Sequence, residues 1–224
     1  MNFLDSFDFT GFSDMLIRII PALLCITLHE LAHGYTAYLL GDDTAKRAGR
    51  LSLNPFRHMD FIGAIMILVM GFGWAKAVPV NMYNFKNPKK GMAITALAGP
   101  LCNILISALA LFIYGVTAVK LMYTAAGEIV LRILASTAYV SCAFAVFNLL
   151  PVPPLDGSKI LFSVISEKSY RFLMRYERYG MIILLALVLT GILSGPLNAL
   201  VNGLYNLLCP IAEIGFRATA TALL

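Results

Sequence analysis

The stretch Leu16-Ile17-Arg18-Ile19-Ile20-Pro21-Ala22-Leu23-Leu24-Cys25-Ile26-Thr27-Leu28-His29-Glu30-Leu31-Ala32-His33 decides the fold. Leu16 to Leu28 is almost wholly apolar, and Leu31 to Leu40 carries no charge. Between these runs sit His29, Glu30 and His33. On an α-helix, residues four apart share one face about one turn apart. Two imidazoles at that spacing can bind one zinc ion, and a glutamate beside the first can reach a metal-activated water as general base. Ionisable groups in a segment of this hydrophobicity are costly to bury, so they usually face a cavity and have a function.

The rest of the chain matches a segment of this kind. Of 224 residues, 59% are hydrophobic and only 13% charged, with a mean hydropathy of +0.81. A soluble domain carries roughly 25% charged residues. The composition therefore predicts an all-α polytopic membrane protein, with one transmembrane domain over residues 1–224. The net charge of +5 needs no nucleic-acid partner, because Lys and Arg cluster in a few loops as membrane topology alone produces. The first fourteen residues hold Asp5, Asp8 and Asp14 and no Lys or Arg, the wrong start for a cleaved signal peptide.

Hydropathy predicts a first span over 15–40, long enough at about 39 Å to cross. The apolar run 61–72 has only 12 residues, short for a crossing. With basic loops on both sides it reads as re-entrant or half-inserted. Trp74-Ala75-Lys76-Ala77-Val78 follows, and from Ala77 the chain can form a small strand near the membrane surface. An extended substrate can pair with such an edge, which makes Trp74 to Val78 substrate-strand candidates. Further spans are predicted over 92–119 and 128–150, and two apolar runs over 179–193 and 197–216 are separated by Ser194-Gly195-Pro196. The total is five to six transmembrane helices. An interfacial basic helix is predicted within 158–178.

Basic loops face the cytoplasm. Loops 46–57, 76–90 and 159–178 then lie inside, with the N-terminus outside, the C-terminus inside, and His29 to His33 in the cytoplasmic half of the first span of a cell-membrane protein. Asp156 falls on the same side, after Pro151, Pro153 and Pro154, on backbone that three prolines keep out of regular helix.

Catalytic zinc takes three protein ligands and leaves one position open. His29 and His33 supply two, and the third should be another His or a carboxylate. Asp156 is the leading candidate, with Cys25 and His58 behind it. Cys25 lies one turn before His29 but reads first as a small pocket-lining residue. His58 and Asp60 read first as loop-shaping or capping groups. The four cysteines form no CxxC pair and predict no disulfide framework.

His29-Glu30-Leu31-Ala32-His33, Asn54-Pro55-x-x-His58-x-Asp60, Gly73-Trp74-Ala75-Lys76, Ala98-Gly99-Pro100-x-x-Asn103 and Asn148-x-x-Pro151-x-Pro153-x-Leu155-Asp156-Gly157 occur in this order. Together they resemble the site-2 protease family of intramembrane zinc metalloproteases. The chain looks like a compact prokaryotic member without PDZ or CBS modules. The resemblance implies one Zn2+ per chain, Asp156 as the third ligand, a catalytic core over about 14–157, additional C-terminal spans over about 179–216, and transmembrane proteins as substrates. Asn148 and Asn103, both intramembrane amides within these motifs, are candidates for oxyanion stabilisation or substrate positioning. A metal-ion transporter also places His, Asp and Cys in spans but does not require Glu30 beside the first His. A catalytically silent scaffold would have lost a ligand or the base, and all are present here.

Overall fold

The computed structural model describes residues 9–60, 76–165, 179–180, 182–188 and 190–222. The first helix, α1, runs Phe9–Leu39, starting six residues before the hydropathy boundary and passing through Pro21. Beyond it the chain folds into the short helix α2, Thr44–Arg47, and a 3-10 turn, Pro55–Arg57, whose N-cap Asn54 accepts from the Phe56 N–H. Residues 76–80 are extended, and a second 3-10 turn, Met82–Asn84, follows.

Two long helices form the centre. Helix α3, Pro88–Leu121, opens with Asn87 accepting the Lys90 N–H at 3.1 Å and a proline in its first turn, where no backbone donor is lost. Helix α4, Ala125–Asn148, is capped by Thr124, which accepts the Gly127 N–H. Irregular backbone over 149–155 leads into α5, Asp156–Val164. The expectation of Asp156 on irregular chain is thus corrected. It is the first residue of a helix, where a carboxylate meets the positive end of the dipole. Residues 182–188 are helical, and α6, Ser194–Leu208, and α7, Pro210–Ala222, complete the chain. The predicted break at Ser194-Gly195-Pro196 is instead the first turn of α6, a turn that tolerates proline.

This is an all-helical membrane protein. Among the described residues, three helices are long and apolar enough to cross a bilayer: Pro88–Leu121, Ala125–Asn148 and the continuous stretch Ser194–Ala220. No sheet forms among the described residues, so the extended 76–80 segment is not a sheet strand there. The short apolar run 61–72, Trp74, Ala75 and residues 166–178 of the expected interfacial helix lie outside the described residues.

Helix α3 is the axis, packing against α1, α4, α5 and α7. Ala110 and Leu111 of α3 and Ala138 of α4 form a buried cluster, against which Tyr205, Leu208 and Ala212 pack. Small residues permit this closeness, as is usual where lipid removes the hydrophobic drive between helices. A Cβ on Gly115 would lie 1.9 Å from the Ala212 carbonyl oxygen, so only glycine fits that crossing of α3 and α7. Small polar side chains tie the helices together: Ser107 to Cys142 at 3.2 Å and Cys25 to Ser141 at 2.9 Å.

A second tie lies in the loops. Fully buried Asp42 accepts from the Thr44 N–H and hydroxyl, the Asn81 N–H at 2.7 Å and the Asn84 amide at 2.7 Å. Burial raises its pKa, but these hydrogen bonds outweigh it and hold the carboxyl below the usual carboxylate range. The knot joins the end of α1 to the 81–84 turn and so anchors the extended segment between them.

Candidate metal centre

Helical spacing puts His29 and His33 on one face of α1. Their rings meet edge to face, centroids 4.5 Å apart. The N-terminus of α5 brings Asp156 onto the same spot. Its Oδ2 lies 3.1 Å from His29 Nε2 and 3.0 Å from His33 Nε2, and the two nitrogens are 3.0 Å apart. All three residues are buried. Three donor atoms thus form a nearly equilateral triangle. A point about 2.1 Å from each corner, the usual zinc–ligand distance, lies about 1.1 Å off the plane of such a triangle. The donor set of two imidazoles and one carboxylate, open on one side, suits zinc. Among the described residues, this is the one group of His, Cys, Asp and Glu side chains close enough to hold a metal.

The surroundings are shaped for two imidazoles. A Cβ at Gly99 would come within 2.4 Å of His33 Nε2 and 2.6 Å of His29 Cε1, so the absence of a side chain there makes the space the rings occupy. Thr95, Gly99 and Asn103 follow at four-residue intervals along α3 and all face the histidines. His33 Nδ1 donates to the Thr95 carbonyl at 2.7 Å, which leaves its Nε2 lone pair free for the triangle. Asn103 Nδ2 lies 3.1 Å from His29 Nδ1. On the other side, Lys159 Nζ donates to Asp156 Oδ1 at 3.3 Å, holding one carboxylate oxygen while Oδ2 faces the histidines.

Glu30 is half-buried, next to the triangle in sequence, and its Oε2 accepts the Val78 backbone N–H at 2.8 Å. The extended segment is gripped along the same edge. Lys76 donates its N–H to the His58 carbonyl at 2.8 Å, and its own carbonyl accepts from the Arg50 guanidinium. Lys76 and Ala77 are exposed there and Val78 is buried.

The other sequence candidates fall elsewhere. Cys25 Sγ turns to Ser141 on α4, not to the triangle. His58 Nε2 donates to the Ser52 carbonyl at 2.8 Å and shapes its loop. Asn148 spends an amide N–H on the Phe144 carbonyl of its own helix at 3.0 Å. Asn103 is fully buried behind His29. Its amide meets the ring nitrogen remote from the triangle.

An α-helical membrane protein with a His-Glu-x-x-His helix and a buried His-His-Asp triangle has the make-up of a membrane zinc metallopeptidase. The chain belongs to peptidase family M50, the site-2 protease family, whose model matches residues 17–191. It is 36% identical over 205 residues to a Bacillus subtilis (strain 168) protein named "Putative zinc metalloprotease YwhC", covering 89% of this chain and 92% of that one. It is 28% identical over 191 residues to a Mycobacterium tuberculosis (strain H37Rv) protein named "Putative zinc metalloprotease Rip2", covering 83% and 71%. No solved structure matches the chain. Membership of this family makes Zn2+ the cofactor.

Proposed function

We propose that the chain is an intramembrane zinc metalloprotease that cleaves peptide bonds within or near transmembrane segments of other membrane proteins. His29, His33 and Asp156 hold the zinc and Glu30 is the general base. The observation that carries this reading is the convergence of three donor atoms within 3.0–3.1 Å.

Bound zinc supplies Lewis-acid polarisation of the scissile carbonyl and acidification of a water. The chain's own residues do the rest. Glu30 takes the proton of the attacking water and returns it to the leaving amine, a contribution of roughly 10²–10⁴-fold. Val78, through its N–H on Oε2, fixes the carboxylate and leaves Oε1 for proton transfer. The Thr95 carbonyl keeps the His33 proton on Nδ1. Lys159 restrains Asp156. A helical substrate hides its carbonyls in hydrogen bonds and must unwind locally to present one. Residues 74–78 receive that unwound strand. Lys76 and Val78 use their N–H groups inward on His58 and Glu30, which leaves the Ala77 N–H to pair with substrate. The basic loops put the site toward the cytoplasm of the cell membrane, with the N-terminus outside. Cleavage of a transmembrane substrate by the native protein, lost in Glu30→Gln with zinc retained, tests this reading. Equal cleavage by both proteins contradicts it.

A further inference from the structure

Asn103 faces the histidines with its polar atoms unevenly used. It is fully buried, its Nδ2 lies 3.1 Å from His29 Nδ1, and its Oδ1 has no hydrogen-bond partner. A neutral imidazole carries one N–H. With the amide nitrogen donating to Nδ1, His29 must carry its proton on Nε2, aimed at Asp156 Oδ2 3.1 Å away. That tautomer has no lone pair to offer a cation. A half-turn of the amide puts Oδ1 where Nδ2 stands. Oδ1 then accepts a proton held on Nδ1, and Nε2 is left with its lone pair in the triangle.

His33 already has this arrangement in a fixed form. Its Nδ1 faces the Thr95 carbonyl, a group that can only accept. On the proposed zinc-site reading, on which this inference rests, His29 needs an acceptor in the same place. Asn103 is the side chain there. It lies on the far nitrogen of the ring, fully buried, and so has no path to a substrate carbonyl.

We propose that Asn103 is a positioning residue for the metal, and not an oxyanion donor. Its carbonyl oxygen fixes His29 as the Nδ1–H tautomer and orients Nε2 toward the cation. A ligand histidine's outer partner of this kind is typically worth 10–100-fold in metal affinity.

The test is the Zn2+ affinity of the full chain in detergent, measured by competition with a chromogenic chelator, for the native protein, Asn103→Asp and Asn103→Leu. Asp keeps an acceptor and removes the donor, whereas Leu keeps the branched shape and removes both. The expected result is Asn103→Asp within a few-fold of native and Asn103→Leu 10–100-fold weaker, with helical content unchanged in both. Should Asn103→Leu fail to fold, Asn103→Asp decides alone. Native-like Zn2+ affinity in a variant that cannot donate to Nδ1 supports the proposal. An Asn103→Asp protein that folds and binds Zn2+ more than tenfold more weakly overturns it, as does an Asn103→Leu protein that binds like native. A native protein that binds no Zn2+ overturns the zinc-site reading itself, a result distinct from either.

Discussion

Val78 donates its backbone N–H to Glu30 Oε2 at 2.8 Å, joining the extended segment after the short apolar run to the acidic residue of the His-Glu-x-x-His helix. The contact links two parts of the proposed machinery, the base and the strand that would receive substrate. Val78→Pro removes that N–H and nothing that touches the donor triangle. Cleavage should fall tenfold or more while zinc per chain stays at the native level, read by metal analysis alongside a cleavage assay. Loss of zinc in Val78→Pro would mean that the segment supports the metal site instead.

Gly99 should tolerate no side chain. A methyl group there lands 2.4 Å from His33 Nε2, on the backbone of a long, well-packed helix that cannot retreat. Gly99→Ala should therefore retain its helical content by circular dichroism yet lose most of its bound zinc. Native zinc content in Gly99→Ala would show that the rings can move aside.

The Asp42 knot makes stability depend on pH. Its folded pKa is lowered, so its contribution is present above the unfolded value of about 3.9 and is lost as pH falls through the folded value. Asp42→Ala leaves the Asn81 and Thr44 donors without their buried acceptor and should destabilise the protein by ~1–3 kcal/mol at neutral pH. The difference between native and variant should shrink in strong acid. Thermal unfolding in detergent across pH checks both points, and a difference that grows toward low pH would contradict them.

Much of this was legible because it is local. The apolar runs predicted α3 and α4 to within a few residues, and Pro151, Pro153 and Pro154 marked a break in regular helix by backbone chemistry that needs no tertiary context. The His29–His33 pairing followed from helical period alone. Other features depended on neighbours distant in the chain. Asn103 is chemically able to serve as an oxyanion donor, and only the packing of α3 on α1 places it behind His29. Thr95, Gly99 and Asn103 do repeat every four residues, and that spacing could have marked a face of α3 turned to the metal. Lys159 sits three residues after Asp156, one helical turn away, a spacing that carries meaning only where Asp156 opens a helix. The Asp42 knot joins residues about forty apart, and no pattern in either segment announces it.

The proposed activity requires zinc held by His29, His33 and Asp156 with Glu30 free to act as base. Zinc per chain in detergent, for the native protein, Asp156→Ala and Glu30→Gln, tests it most directly. About one zinc is expected in the native and Glu30→Gln proteins and none in Asp156→Ala. A folded Asp156→Ala protein that keeps its zinc would contradict it.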